Sequence, residues 1–191
     1  MNIYVLRHGT TQWNLDHKIQ GATDIPLHPA GREEARQIRR KVQDLTFEII
    51  LTSPMARALE TAQIIRQNDQ IPLVVESRLQ EVSFGDWEGS TWEEVQQRYS
   101  FLMENIPSNG YIDPPNGESF EEAAKRICPL VNSLLKERKD CLLITHKAVI
   151  RFLVYCITKK TPAKTGGLDI PNLSILHLCI PDDGPVTWRF I

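Results

Sequence analysis

The sequence predicts an α/β protein, a three-layer α/β/α sandwich around a mixed, mostly parallel sheet. Three observations carry that prediction. Short, near-continuous apolar runs recur at Ile3–Leu6, Phe47–Leu51, Leu73–Val75 and Leu142–Ile144, as strands covered on both faces require. Amphipathic stretches of helical period lie between them. Several runs stop abruptly on polar residues, which is how a buried strand delivers chemistry to the crevice at the end of a parallel sheet.

Taken in order, the first run ends on Arg7-His8-Gly9. A helix follows whose apolar face is Ala35, Ile38, Val42 and Leu45. The second run ends on Thr52-Ser53-Pro54, and Ser53 before proline fits an N-cap with proline at the first helical position. Arg57 then falls in the first helical turn. Asn105–Gly117 holds prolines 107, 114 and 115 and glycines 110 and 117; a loop of that length in a compact domain is expected to be a lid over a site, with disorder as the alternative. Ser119 with Glu122 predicts a capping box for a helix with Phe120, Ala124, Ile127, Val131 and Leu134 on one face. The fourth run ends on Thr145-His146. Leu173–Ile180 and Val186–Ile191 read as two further strands joined by a Pro-Asp-Asp-Gly-Pro turn. The 191 residues suit one domain, 1–191, with one core.

Hydrophobic residues at 41% and charged residues at 24% are those of an ordinary globular chain. A formal charge of −2 calls for neither a nucleic-acid nor a membrane partner. The N-terminus lacks the pattern of a signal peptide and no apolar run reaches membrane-spanning length, so a cytoplasmic protein is expected. Cys128, Cys141, Cys156 and Cys179 are widely spaced with no CxxC pair, and are expected to be reduced thiols of the core.

Three strand ends supply phosphate-handling groups. An imidazole beside a guanidinium suits phosphoryl chemistry, because the planar fork of Arg7 holds the anion while His8 attacks. Arg57 in a first helical turn opposes the helix dipole, so a bound anion must reward it; an Arg57–Glu60 surface pair is the plain alternative. His146 completes a cluster of donors around a tetrahedral oxyanion. No P-loop, HExxH or carboxylate cluster is present, so neither metal nor cofactor is called for. Transfer to histidine also needs an acid for the leaving alcohol and a base for water. Glu81, Asp86 and Glu88 are the candidates, and Glu81 sits in an apolar, aromatic segment where desolvation would raise its pKa. Sequence physics does not choose among the three.

The pattern Arg7-His8-Gly9-Thr10-Thr11…Asn14, Gln20-Gly21…Asp24…Pro26-Leu27 and Gly31 resembles the histidine phosphatase superfamily, also called phosphoglycerate mutase-like. Ser53-Pro54…Arg57-Ala58…Thr61-Ala62 is similar to its second block, and Leu79…Glu81…Phe84-Gly85…Trp87-Glu88-Gly89 to its acid-bearing block. Gly117-Glu118-Ser119 resembles a later one, and Thr145-His146 with Arg151 the last. The resemblance implies a phosphoglycerate mutase-like fold and a phosphohistidine on His8. It implies Arg7, Arg57 and His146 as the phosphoryl clamp, Asn14 with Gln20 and Gly21 near the substrate, and Glu81 as acid and then base. Gly9 would allow close backbone approach at its turn. Trp87 and Trp92 are expected in the core, with the border of the pocket as the alternative. One position departs from the pattern: the family usually has glycine after the second histidine, and this chain has Lys147, which either adds a donor toward the substrate or points to solvent.

Mutases of the family carry a longer, basic insertion after the acid-bearing block, whereas 105–117 contains no lysine or arginine. The expected activity is therefore hydrolysis of a small phosphorylated metabolite. The strings around residues 84–89 and 114–119 look most like the α-ribazole phosphatase branch and its broad-specificity relatives. Phosphoglycerate mutase activity and a phosphate-binding module without turnover are the alternatives.

Overall fold

The structure, a computed structural model, describes residues 1–66, 70–161 and 168–191. Six strands form one sheet: β1 (Asn2–Arg7), β2 (Ile49–Thr52), β3 (Leu73–Val75), β4 (Cys141–Thr145), β5 (Ile175–Cys179) and β6 (Thr187–Phe190), in the order β3-β2-β4-β1-β5-β6. The β3-β2-β4-β1 portion is parallel, and β5 and β6 are antiparallel additions. The expected mixed, mostly parallel sheet is the one observed.

The period-2 alternation of each strand divides the core. Ile3, Val5, Leu51, Cys141 and Leu143 face one layer, which holds α6 (Phe120–Glu137) and α7 (Lys147–Thr158). Tyr4, Leu6, Ile50, Leu142 and Ile144 face the other, which holds α2 (Pro29–Gln43) and α3 (Ala56–Ile65). Both faces are covered, which explains why the runs are continuously apolar; each fully buried Ile or Leu contributes roughly 1.5–3 kcal/mol. Three short helices lie outside these layers: α1 (Gln12–Leu15), α4 (Trp92–Arg98) and α5 (Ser100–Glu104).

The Ser119–Glu122 capping box opens α6 as expected. The start of α3 differs. Ser53 does not cap it; the helix begins at Ala56 after Met55, which provides no side-chain cap. The Asp24 carboxylate accepts from the Ala56 backbone N–H at 2.9 Å instead. The cap comes from a distant segment, and the Ser53 hydroxyl is left for another partner.

Register explains why the strand ends converge. Arg7 stands opposite Thr145, and Thr52 opposite Ile144. The backbone N–H of His8 donates to Thr145 O at 2.9 Å and that of Ser53 to Ile144 O at 3.0 Å. The three polar strand ends therefore emerge together at the carboxyl end of the parallel strands.

The cysteine expectation holds for two residues and fails for two. Cys141 and Cys179 are free, but Cys128 and Cys156 form a disulfide with Cα atoms 5.2 Å apart, joining α6 to α7. Helical phase brings these two side chains to facing positions, which a linear spacing of 28 residues does not reveal. Closing a loop of that size restricts the unfolded chain, so Cys128→Ser should lose about 3 kcal/mol of stability. Urea unfolding of the two proteins checks this, with reduced wild type expected to match the variant. Among the described residues no helix is long and apolar enough to cross a membrane.

Candidate active site

Beyond the β1, β2 and β4 ends lies a cavity of about 570 Å³ whose wall includes Arg7, Asn14, Gln20, Glu81, Lys147 and Arg151. His8, Arg57 and His146 sit behind that wall, 2%, 0% and 0% exposed. The structure thus brings the residues expected from three strand ends into one cluster, with the His8 and His146 rings 5.1 Å apart between centroids.

The state of His8 follows from its partners. Its Nδ1 lies 2.8 Å from Gly9 O, and a carbonyl can only accept, so Nδ1 carries the proton and Nε2 keeps its lone pair. Burial, with the guanidiniums of Arg7 and Arg57 nearby, drives its pKa well below the histidine value. The turn beneath it is tightly made: Gly9 N donates to Thr61 Oγ1 at 3.0 Å, and Thr61 Oγ1 to Arg57 O at 2.6 Å. A Cβ on Gly31 would lie 2.1 Å from Thr10 O. Only glycine there lets α2 pack against this turn.

Arg57 does not make the plain surface pair with Glu60, which instead bonds Arg32 at 2.5 Å. It is buried and spends its donors on the protein, reaching Gly21 O at 2.9 Å, Thr23 O at 3.0 Å and His146 Nδ1 at 3.2 Å. Since His146 Nδ1 accepts, its Nε2 bears the proton and donates to Ser53 Oγ at 2.8 Å. That is the partner Ser53 keeps by not capping α3. Burial and Arg57 push the His146 pKa well down, so this imidazole is neutral. Arg7 is the freer cation. Its Nη1 donates to Ile170 O at 2.7 Å, while its Nε is buried with no partner among the described residues.

The three carboxylates separate cleanly. Asp86 is engaged at the surface by Asn116 Nδ2 at 3.1 Å. Glu88 accepts from Ala22 N, Thr23 N and Phe84 N at 2.8–2.9 Å, tying the 20–24 segment to the 83–88 turn. Gly21, at φ +57°, lies so close that a Cβ would fall 2.1 Å from Glu88 Oε1. Its close approach is therefore to Glu88, and it is absent from the cavity wall. Glu81 alone of the three lines the cavity. It is 8% exposed and accepts from Val82 N at 3.0 Å. Burial raises its pKa above the carboxyl value, against the lowering pull of Arg57.

Asn14 caps its own helix: its Oδ1 accepts from Thr11 N at 3.1 Å and from Asn172 Nδ2 at 3.1 Å. That leaves the Asn14 amide NH₂ to donate toward the cavity. Gln20 lines the cavity with a buried, unpartnered Oε1. Lys147 opens α7 on the cavity side, 3.8 Å from the exposed Asp169, and burial with Arg151 nearby lowers its pKa. Asn172 is a site residue with no signal in the sequence beyond a Pro-Asn turn doublet; it also donates to His8 O at 2.9 Å. Trp87 is buried as expected, but Trp92 is not core: it is 46% exposed and lines the cavity. The short α4 presents that side of itself to the cavity while Val95 faces inward. Among the described residues no group of three His, Cys, Asp or Glu is placed to hold a metal ion.

Residues 3–190 match the sequence model of the histidine phosphatase superfamily (branch 1). The chain is 34% identical over 183 residues to the uncharacterized phosphatase PhoE of Bacillus subtilis, covering 93% of this chain and 85% of that one. It is 29% identical over 175 residues to the 2,3-bisphosphoglycerate-dependent phosphoglycerate mutase of Cytophaga hutchinsonii, covering 88% and 82%. The solved structure of the alpha-ribazole phosphatase from Shigella flexneri is similar with a TM-score of 0.84 at 25% identity, over 99% of this chain and 95% of that one.

Proposed function

This chain belongs to the histidine phosphatase superfamily, branch 1, and from that premise we propose a metal-independent phosphomonoesterase that hydrolyses a small phosphorylated metabolite through a phosphohistidine on His8. The observation that carries the proposal is the lock on His8: Nδ1 is held by Gly9 O at 2.8 Å, and the ring is kept neutral among guanidiniums, leaving Nε2 as nucleophile. In the first step Nε2 bonds to phosphorus, the ester P–O bond breaks, and protonated Glu81 gives its proton to the departing alcohol. In the second the Glu81 carboxylate takes a proton from water, the water oxygen bonds to phosphorus, and the N–P bond breaks. Arg7, a cation on the cavity wall, offers donors to the phosphoryl oxygens. Asn14, Gln20 and Lys147 bind from the cavity wall, and Arg57 holds His146 and the 20–24 segment in place.

Phosphate release from a panel of phosphomonoesters in EDTA tests this. Turnover in EDTA is expected; ester binding with no release across the panel would favour a binding module. The mutase relative motivates one other reading, which 3-phosphoglycerate with bisphosphoglycerate separates. Isomerisation faster than phosphate release would replace the hydrolase reading. The compact chain between Glu81 and His146, with no lysine or arginine in 105–117, favours hydrolysis. The motif strings and the Shigella flexneri structure support the α-ribazole phosphatase branch as a comparison for activity.

The pKa shifts set the pH dependence. His8 must be neutral, and its folded value lies below 6.5, so the acid limb of kcat/KM falls below that of free histidine. Glu81 must be protonated, and its folded value lies above 4.5, so the alkaline limb falls above that of an ordinary carboxyl. The shifts bring the two values toward each other, which raises the fraction of enzyme holding neutral His8 and protonated Glu81 together. A bell is expected in kcat/KM, corrected for the ester's own ionisation near pH ~6. A profile flat through both limbs would remove both assignments.

A further inference from the structure

Glu81 is common to the walls of two cavities, the catalytic one and a second of about 480 Å³. With open space on both, packing does less to fix its carboxyl than it does for a core side chain. Its position is therefore set chiefly by the backbone that carries it. That backbone leaves the short 3₁₀ turn Ser77–Leu79, where carbonyls lose their helical partners. Three consecutive carbonyls are taken by side chains from elsewhere. Thr145 Oγ1 donates to Leu79 O at 2.7 Å. Arg126, near the start of α6, donates from Nη1 to Arg78 O at 2.8 Å and to Gln80 O at 2.9 Å. Its Nε and Nη2 meet the two Glu118 carboxylate oxygens at 2.9 and 2.8 Å. The backbone N–H of Glu118 in turn donates to Ser83 O at 2.9 Å.

An ordinary ion pair between α6 and Glu118 explains Nε and Nη2 of Arg126. It does not explain Nη1, which is spent on two carbonyls, one of them in the residue just before Glu81. A guanidinium offers five N–H donors in a fixed fork, and four acceptors here are matched to it. Together Arg126 and Glu118 grip the chain on both sides of Glu81, at residues 78, 80 and 83.

We infer that Arg126 is the positioning residue of the proton donor: through Gln80 O and through Glu118 it holds Glu81 where proton transfer to the leaving oxygen requires it. The inference rests on the phosphomonoesterase reading. Arg126 lies on the wall of the second cavity and not on that of the catalytic one, so it acts only through Glu81. The charged and titratable groups that act on the Glu81 carboxyl are Arg57, Arg7, Lys147, Arg151 and Tyr111. All of them remain in an Arg126 variant.

The test measures kcat/KM for benzyl phosphate and p-nitrophenyl phosphate in wild type, Arg126→Met and Arg126→Lys. Arg126→Met should slow the benzyl ester by about 10²-fold, the cost of a misplacement of about 1 Å. It should slow the p-nitrophenyl ester much less, because that leaving group departs without a proton. Arg126→Lys keeps the charge but offers its donors from one point, so its loss should be smaller and equally selective. It carries the comparison if Arg126→Met does not fold. The alkaline limb should move to lower pH in both variants, since a loosened Glu81 regains water and its raised pKa relaxes toward the carboxyl value. Loss of a positive charge alone would move that limb upward. Carbon-13 NMR of the Glu81 carboxyl reads the same shift without turnover.

Equal losses on the two esters, as a smaller folded fraction would give, overturn the positioning role and leave the phosphatase reading intact. A limb that stays in place or moves to higher pH does the same. If wild type hydrolyses neither ester, the phosphatase reading fails and the NMR titration decides alone. A lower Glu81 pKa in the variants then sustains the clamp, and an unchanged one overturns it.

Discussion

His8→Ala is expected to lower phosphate release by on the order of 10⁴-fold or more, as loss of a covalent nucleophile does. No neighbour can take over. His146 is the other imidazole of the cluster, but its Nδ1 accepts from Arg57 and its Nε2 donates to Ser53, so it offers phosphorus no lone pair. The substitution removes one bond, from Nδ1 to Gly9 O, while the turn stays anchored by Gly9 N on Thr61 and by Asn172 on His8 O. The variant should therefore fold. Two readouts are needed: turnover in EDTA, and phosphoryl label retained after an alkaline quench. Wild type should hold label and His8→Ala should hold none. Residual turnover within tenfold of wild type would transfer the nucleophile's role elsewhere.

The second large effect is chemical rather than steric. Glu81→Gln keeps an oxygen to accept from Val82 N but cannot give up a proton. Esters of ordinary alcohols, whose leaving group must be protonated, should slow by about 10²–10⁴-fold. An activated aryl ester such as p-nitrophenyl phosphate should lose much less in its first step, because its leaving group departs as an anion. The alkaline limb of the pH profile should vanish as well, since the group that titrates there is gone. Equal losses on both kinds of ester would mean that Glu81 is not the acid.

The parts of the fold governed by local period were legible in the sequence. Strands buried on both faces announce themselves as apolar runs, and the α6 start is written in Ser119 and Glu122, three residues apart and sufficient by themselves. The start of α3 was not legible, because Asp24 supplies its cap across a long loop. The Cys128–Cys156 bridge and the exposed Trp92 failed for a related reason: each depends on how one helix faces a neighbour. Asn172 is the clearest case. Three of its hydrogen bonds reach back to residues 8, 9 and 14, and no local pattern encodes a contact across 158 or more positions.

By itself the sequence determined the alternation of strands and helices, and hence that Arg7-His8, Ser53 and Thr145-His146 leave the sheet at the carboxyl ends of its parallel strands; periodicity and parallel topology suffice for that. Only the tertiary structure decided what each group does there. Glu81, Asp86 and Glu88 lie within eight residues in the chain, yet one is a desolvated carboxyl at the cavity, one a surface acceptor and one a clamp between loops. The same holds for which nitrogen of His8 and of His146 carries the proton. Desolvation and hydrogen-bond partners come from segments far apart in sequence, so protonation state is a property of the assembled site.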